Sequence, residues 1–187
     1  MLSRQLHPDP DPTQGGHAPG GCSGPGEGLC GAGEGAPGGR LNLLLSYAGW
    51  RDDSWADRLP RLLEPMGVRS HRAATAREAT RVIETIPIHI AVVDLALPMG
   101  APTDRDEEAG PRLLELLART ATRPPTVVVK RARTIRDDRR ELTAALRAGA
   151  FAVIDRPDEP RDLETMLDVL RRVLTRYYRG RWPGALS

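Results

Sequence analysis

The stretch Ile90-Ala91-Val92-Val93-Asp94-Leu95-Ala96-Leu97-Pro98 carries an aliphatic run to a single carboxylate, Asp94. A continuous apolar segment of this length, β-branched at Val92 and Val93, reads as a strand buried on both faces. That is what a central strand of a parallel sheet requires. Ligands and chemistry in open α/β sheets collect outside the carboxyl ends of the strands, so Asp94 stands where a site would lie. The structural alternative for Asp94 is a loop or helix-capping acid.

Upstream of it, Leu41-Asn42-Leu43-Leu44-Leu45-Ser46-Tyr47 reads as a first buried strand, and Asp53 or Ser54 caps a helix carrying Trp55, Leu59, Leu62 and Leu63. Pro60 and Pro65 kink or shorten that helix, and Gly67 ends it before a modest edge strand, Val68 to Ala73. Thr75-Ala76-Arg77-Glu78 is a capping box for a short helix with Ala79, Val82 and Ile83 buried. His89, alone in an apolar context, reads as a packed or partly exposed strand residue before it reads as a ligand.

Downstream, a polar loop containing Asp104, Asp106, Glu107 and Glu108 precedes Pro111, which opens a helix with Leu113, Leu114, Leu116 and Leu117 on its apolar side. A strand over Thr126 to Val129 stops at Lys130-Arg131. Asp137 or Asp138 then caps a helix carrying Leu142, Ala145 and Leu146, with Gly149 as its stop. Ala150 to Ile154 is the fifth strand, and Pro160 opens a last helix with Leu163, Met166, Leu167, Leu170, Val173 and Leu174 on one face. Five strands alternating with five helices predict an α/β domain, a parallel sheet covered on both sides.

Composition bounds the rest. The chain has 187 residues, 40% of them hydrophobic, enough for one domain with a substantial core. Its formal charge is only +2 although 28% of residues are charged, so no field strong enough to argue for nucleic acid arises. Residues 1–40 are rich in Gly and Pro and poor in aliphatics, and are expected to form a disordered leader. His17, Cys22 and Cys30 within it match no zinc spacing. With both cysteines there, no apolar run near roughly 20 residues and no signal segment, a cytoplasmic, non-membrane protein is expected. Residues 179–187 are a basic and aromatic tail. The segment from Arg171 to Trp182 reads as helix-dipole compensation and an edge for docking protein before it reads as a nucleic-acid surface.

Across residues 41–178 the sequence resembles the receiver domain of two-component response regulators. The resemblance is carried by Val92-Val93-Asp94-Leu95-Ala96-Leu97-Pro98, Gly110-Pro111-Arg112-Leu113-Leu114, Ala145-Leu146-Arg147-Ala148-Gly149-Ala150 and Ile154-Asp155-Arg156-Pro157, in that order and spacing. It implies a flavodoxin-like, doubly wound five-stranded parallel sheet with helices on both faces. It makes Asp94 the candidate phosphoacceptor, with a histidine kinase or phosphotransfer protein upstream and a protein target on the last helix and strand. In this family an acidic pair ending the first strand helps to hold Mg²⁺, a Ser or Thr ends the fourth strand, and Lys-Pro ends the fifth.

The chain departs at each supporting position. Ser46 and Tyr47 stand in place of the acidic pair and bring no carboxylate to a hard cation, which leaves Asp52, Asp53 and Asp94 as candidate Mg²⁺ ligands. Lys130 replaces the hydroxyl residue, Arg156 replaces the lysine before Pro157, and Val153 occupies the place of an aromatic switch residue. Lys130, Arg156 and Pro157 are the candidate phosphoryl-contacting or switch residues, although a planar guanidinium is not equivalent to an ammonium. Two chemistries stay open: Mg²⁺-dependent phosphotransfer to Asp94, and a pseudo-receiver in which Lys130 or Arg156 pairs with Asp94 in place of a metal. The loss of anionic ligands and the gain of a cation favour the second. A competing reading comes from Leu45-Ser46-Tyr47 and Asp52-Asp53-Ser54-Trp55-Ala56-Asp57-Arg58-Leu59, similar to the opening of a TIR domain. Some TIR domains cleave NAD with a later glutamate, but no Trp-Cys-x-x-Glu segment follows here. Outside that alternative no enzyme is expected.

Overall fold

The computed structural model describes residues 40–48, 54–100, 108–131 and 134–180. The expectations for the leader, for Asp52, Asp53, Asp104, Asp106 and Glu107, and for residues 181–187 fall outside this set. Five strands, β1 (Leu41–Ser46), β2 (Val68–Ala73), β3 (Ile90–Asp94), β4 (Thr126–Lys130) and β5 (Ala152–Asp155), pair in parallel in the order β2-β1-β3-β4-β5. Between and after them lie α1 (Ser54–Leu63), α2 (Ala76–Thr85), α3 (Gly110–Arg119), α4 (Ile135–Arg147) and α5 (Pro160–Tyr178).

Strand periodicity divides the core in two. Leu43, Leu45, Val92, Val127 and Val129 face one side of the sheet and pack with Trp55, Leu59 and Leu63 of α1 and Met166, Leu170 and Val173 of α5. Leu44, Ala91, Val93 and Val128 face the other, against Ala79 of α2 and Leu113, Leu114 and Leu117 of α3. All five residues of β3 are buried, as its unbroken aliphatic run predicts.

Several local readings change. β1 stops at Ser46, so Tyr47 lies beyond it, and β5 begins at Ala152, two residues later than patterned. Pro60 is accommodated inside α1 while Pro65 falls in a 3₁₀ turn, Glu64–Met66, that closes on Gly67 at φ 78°. Thr75 caps α2 by accepting the Glu78 N–H at 3.2 Å, whereas Glu78 reaches back to the Ala74 N–H at 2.8 Å. The cap of α4 is Thr134, which accepts the Asp137 N–H at 3.4 Å, and not Asp137 or Asp138. Leu62, Leu116, Leu142 and Leu146, placed on buried stripes by their spacing, are exposed, and Val82 and Ile83 are half-buried. Helical periodicity locates an apolar side but not what covers it.

The last helix seals the amino-terminal approach to β3. The Tyr178 hydroxyl donates to the His89 carbonyl at 2.6 Å, and Tyr177 meets the Phe151 ring edge to face at 5.9 Å. His89 lies half-buried just before β3 and not within a strand, its Nδ1 accepting the Asn42 N–H at 3.0 Å.

Candidate functional site

Asp94 ends β3 with its side chain 1% exposed. The chain turns at once: Oδ1 accepts the Ala96 N–H at 2.9 Å and Oδ2 the Ala48 N–H at 3.4 Å, from the chain leaving β1. Burial raises the Asp94 pKa above the ordinary carboxyl value. The Ala96 and Ala48 N–H groups and the charge of Arg131 oppose that rise, and Glu108 adds to it. The turn is closed from behind by Gly110, which opens α3. A Cβ there would lie 2.5 Å from Leu95 Cα and 2.6 Å from the Asp94 carbonyl oxygen, so only glycine lets the helix come this close.

At the end of β1, the buried Ser46 hydroxyl donates to the Val92 carbonyl at 3.0 Å. It knits β1 to β3 and is not turned to the carboxylate. Tyr47 belongs to a separate cluster: its hydroxyl accepts from Arg72 at 2.7 Å, the same guanidinium lies 5.1 Å from its ring centroid, and Arg72 pairs with Asp57 at 2.7 Å.

The two candidate cations part company. Arg156, leaving β5, places Nη1 3.8 Å from Asp94 Oδ2, within ion-pair reach but beyond a hydrogen bond. Lys130 does not pair with Asp94. It is the only lysine in the chain, and its buried ammonium sits between Asp138 of α4, at 2.5 Å, and Asp155 of β5. Burial alone would lower its pKa, but the bonds to Asp138 and Asp155 outweigh burial and raise it. Pro157 is buried just beyond, and the Arg156 N–H donates to the Lys130 carbonyl at 2.8 Å, tying the two strand ends together. The structure thus joins Asp94 with Arg156 and sends Lys130 to Asp138, which the sequence offers only as a helix cap, and to Asp155, to which it assigns no partner. Asp155, immediately before Arg156, was the one available hint.

The described residues do not fit a Mg²⁺ site. A hard divalent cation needs several anionic oxygens. Asp94 offers a single carboxylate, Ser46 adds no negative charge, and a guanidinium stands alongside. Among the described residues no group of three or more His, Cys, Asp or Glu side chains converges. Asp52 and Asp53 lie outside them.

A parallel sheet ordered β2-β1-β3-β4-β5, with a buried carboxylate leaving β3 and a close-packed glycine opening the next helix, defines a doubly wound, flavodoxin-like domain. The solved structures that the chain matches include response-regulator receiver domains. The chain is similar to the CheY-like receiver domain protein of Methanospirillum hungatei JF-1, at 27% identity and a TM-score of 0.53, over 73% of this chain and 98% of that one. It is similar to a two-component response regulator of Clostridium difficile, at 19% identity and a TM-score of 0.57, over 74% and 99%. A response regulator of Burkholderia pseudomallei with a phosphorylated aspartic acid and a calcium ion matches at 21% identity and a TM-score of 0.53, over 70% and 66%. The chain therefore has the fold of a receiver domain, and this likeness supports a role in two-component signalling. No protein-family model and no curated protein matches it. Among the described residues no helix is long and apolar enough to cross a membrane.

Proposed function

We propose that this chain is a pseudo-receiver of two-component signal transduction, a binding module whose output does not depend on phosphoryl transfer to Asp94. The observation that carries the reading is the setting of that carboxylate. An aspartate that accepts a phosphoryl group needs an oxygen free for in-line attack, and cations that neutralise the charge on the transferred group. Here the Asp94 side chain is 1% exposed, the uncharged Ser46 stands in place of an acid and is bonded to the Val92 carbonyl, and Arg156 already supplies the counter-charge from 3.8 Å. Such a carboxylate acts as a fixed anion joining the ends of β1, β3 and β5. Mg²⁺ has no required part. A histidine kinase or phosphotransfer protein is the upstream partner class, and a protein target reads the face of β5 and α5; the module itself is not an enzyme.

The test is intact mass of the full chain after incubation with a small acyl phosphate and Mg²⁺, beside Asp94→Asn. No adduct is expected on the parent, and one is expected when Ser46→Asp and Arg156→Lys rebuild the anionic and ammonium partners. An adduct on the parent that Asp94→Asn abolishes would overturn the reading.

A further inference from the structure

Among the described residues, Arg123 is the only one other than glycine that takes a positive φ, at 39°. The position disfavours it twice, because a Cβ crowds the left-handed region and the following Pro124 restricts its neighbour to extended backbone. The Arg123 N–H donates to the Thr120 carbonyl at 3.2 Å, closing the turn between α3 and β4. Glycine would meet the backbone demands of that turn. The chain instead holds a guanidinium there, exposed and in no ion pair among the described residues. Strain of this kind collects at sites where a side chain is kept for what it binds.

The turn borders a cavity of about 280 Å³ between the end of α3 and the connection from α4 to β5. Leu114 and Leu117 of α3, with Pro124 and Ala150, make it apolar, and no acidic side chain lines it among the described residues. Helix α4 ends there through two bonds, from the Gly149 N–H to the Leu146 carbonyl at 3.0 Å and from the Ala150 N–H to the Ala145 carbonyl at 3.1 Å, which set Gly149 at φ 90°. A Cβ on Gly149 would meet nothing within 4 Å, so this wall leaves the space open. Other donors around it are already spent: the Ala148 N–H goes to the Ala144 carbonyl at 3.0 Å and the Thr126 hydroxyl to the Pro124 carbonyl at 2.9 Å. The Arg123 guanidinium is therefore the donor left for a ligand.

We infer that this cavity binds a small monocarboxylic acid with a compact apolar body, the body between α3 and the α4–β5 connection and the carboxylate on Arg123. Its volume lies at the small end of ligand sites, which start near about 300 Å³ and combine apolar walls with a few polar anchors. One planar guanidinium matches one carboxylate through two parallel N–H donors. A phosphate or nucleotide would bring more negative charge than a single cation offsets, a cationic ligand would be repelled, and a partner's helix, about 10 Å across, would not enter. The site is remote from Asp94: Thr126 opens β4 opposite Ala91, while Asp94 lies at the other end of β3 opposite Val129. The inference stands independently of the reading of Asp94, and the phosphodonor test leaves it unchanged.

The full chain, isotope-labelled for NMR, is titrated with sodium benzoate and with sodium isovalerate, and its amide resonances are followed. Benzamide, benzylamine and sodium acetate are run in parallel, which remove in turn the negative charge, its sign and the apolar body. For so small a ligand the dissociation constant is on the order of 1 mM. Saturable shifts are expected at Leu117, Ala148 and Ala150 with at least one of the two apolar acids and with none of the three controls. Arg123→Gly should weaken that binding by about tenfold while Tm stays level or rises, because the turn loses its strained side chain. Ala118→Leu, at an exposed position of α3 on the cavity wall, should weaken it as much with circular dichroism unchanged. No saturation by either acid up to about 50 mM, an equal response to benzamide or acetate, saturable shifts confined to other parts of the chain, or full affinity in both variants would each overturn the inference. Loss of binding in Arg123→Gly together with a fall in Tm would also overturn it, since arginine would then serve the turn itself.

Discussion

Replacing Gly110 by alanine pits two effects of opposite sign against each other. Helix propensity alone favours alanine by about 1 kcal/mol. The new Cβ, however, would stand 2.5 Å from Leu95 Cα and 2.6 Å from the Asp94 and Leu95 carbonyl oxygens, where ordinary contact begins at 3.4 Å. The first turn of α3 must therefore retreat by about 0.9 Å from the end of β3, and the obstructing atoms are backbone, which cannot swing aside. Overpacking of this kind costs about 3 kcal/mol, against a gain of about 1 kcal/mol, for a net loss of about 2 kcal/mol. In a domain of this size that lowers Tm by about 6–8 °C. Gly149→Ala is the internal control. Its φ of 90° strains any side chain, but nothing lies within 4 Å of the added atom, so the cost is about 1 kcal/mol. Thermal and urea melts followed by circular dichroism should rank Gly110→Ala below Gly149→Ala and both below the parent. A Gly110→Ala protein as stable as the parent would refute the close approach of α3 to the Asp94 turn.

Two further outcomes concern titration. Burial holds the Asp94 proton to a higher pH in the folded chain than in the unfolded one, so native stability falls as pH rises from about 3.9 through the raised folded value. The unfolding free energy of Asp94→Asn minus that of the parent should therefore shrink as urea melts are repeated from about pH 7 down to about pH 4; a growing difference would mean that Arg156 outweighs burial. At His89 burial works the other way, lowering the pKa of a ring whose Nδ1 must stay unprotonated to accept the Asn42 N–H. The folded state then binds fewer protons than the unfolded one, so its contribution is lost as pH falls below about 6.5. An NMR titration should place the His89 midpoint below about 6.5, and a midpoint at or above it would show that the ring is not held neutral.

How far the sequence could be read depends on how far apart the interacting parts lie. Ile90 to Asp94 could be recognised as a central parallel strand because both faces are aliphatic, and the alternation of turn and helix signals set the rest of the sheet around it. That Ser46 cannot supply a carboxylate is plain from its identity. That its hydroxyl goes to Val92, 46 residues away, follows only once β1 and β3 are neighbours. Lys130 meets Asp155, 25 residues on, because the sheet order sets β5 beside β4. For Leu142 and Leu146 the failure is different in kind. Their spacing is that of a core stripe, but the pattern does not say whether the apolar side meets the sheet or the solvent.

The Lys130 position also has a chemical consequence. Because it is the only lysine, and is buried between Asp138 and Asp155 with its charged form favoured, the chain presents no accessible ε-amine nucleophile among its side chains. Acylation of this ε-amine, and its tagging by enzymes that act on lysine, must wait for Lys130 to leave its place between Asp138 and Asp155. The rate at which that single amine becomes modified is therefore a clock for opening of the domain, read at one atom without introducing any label.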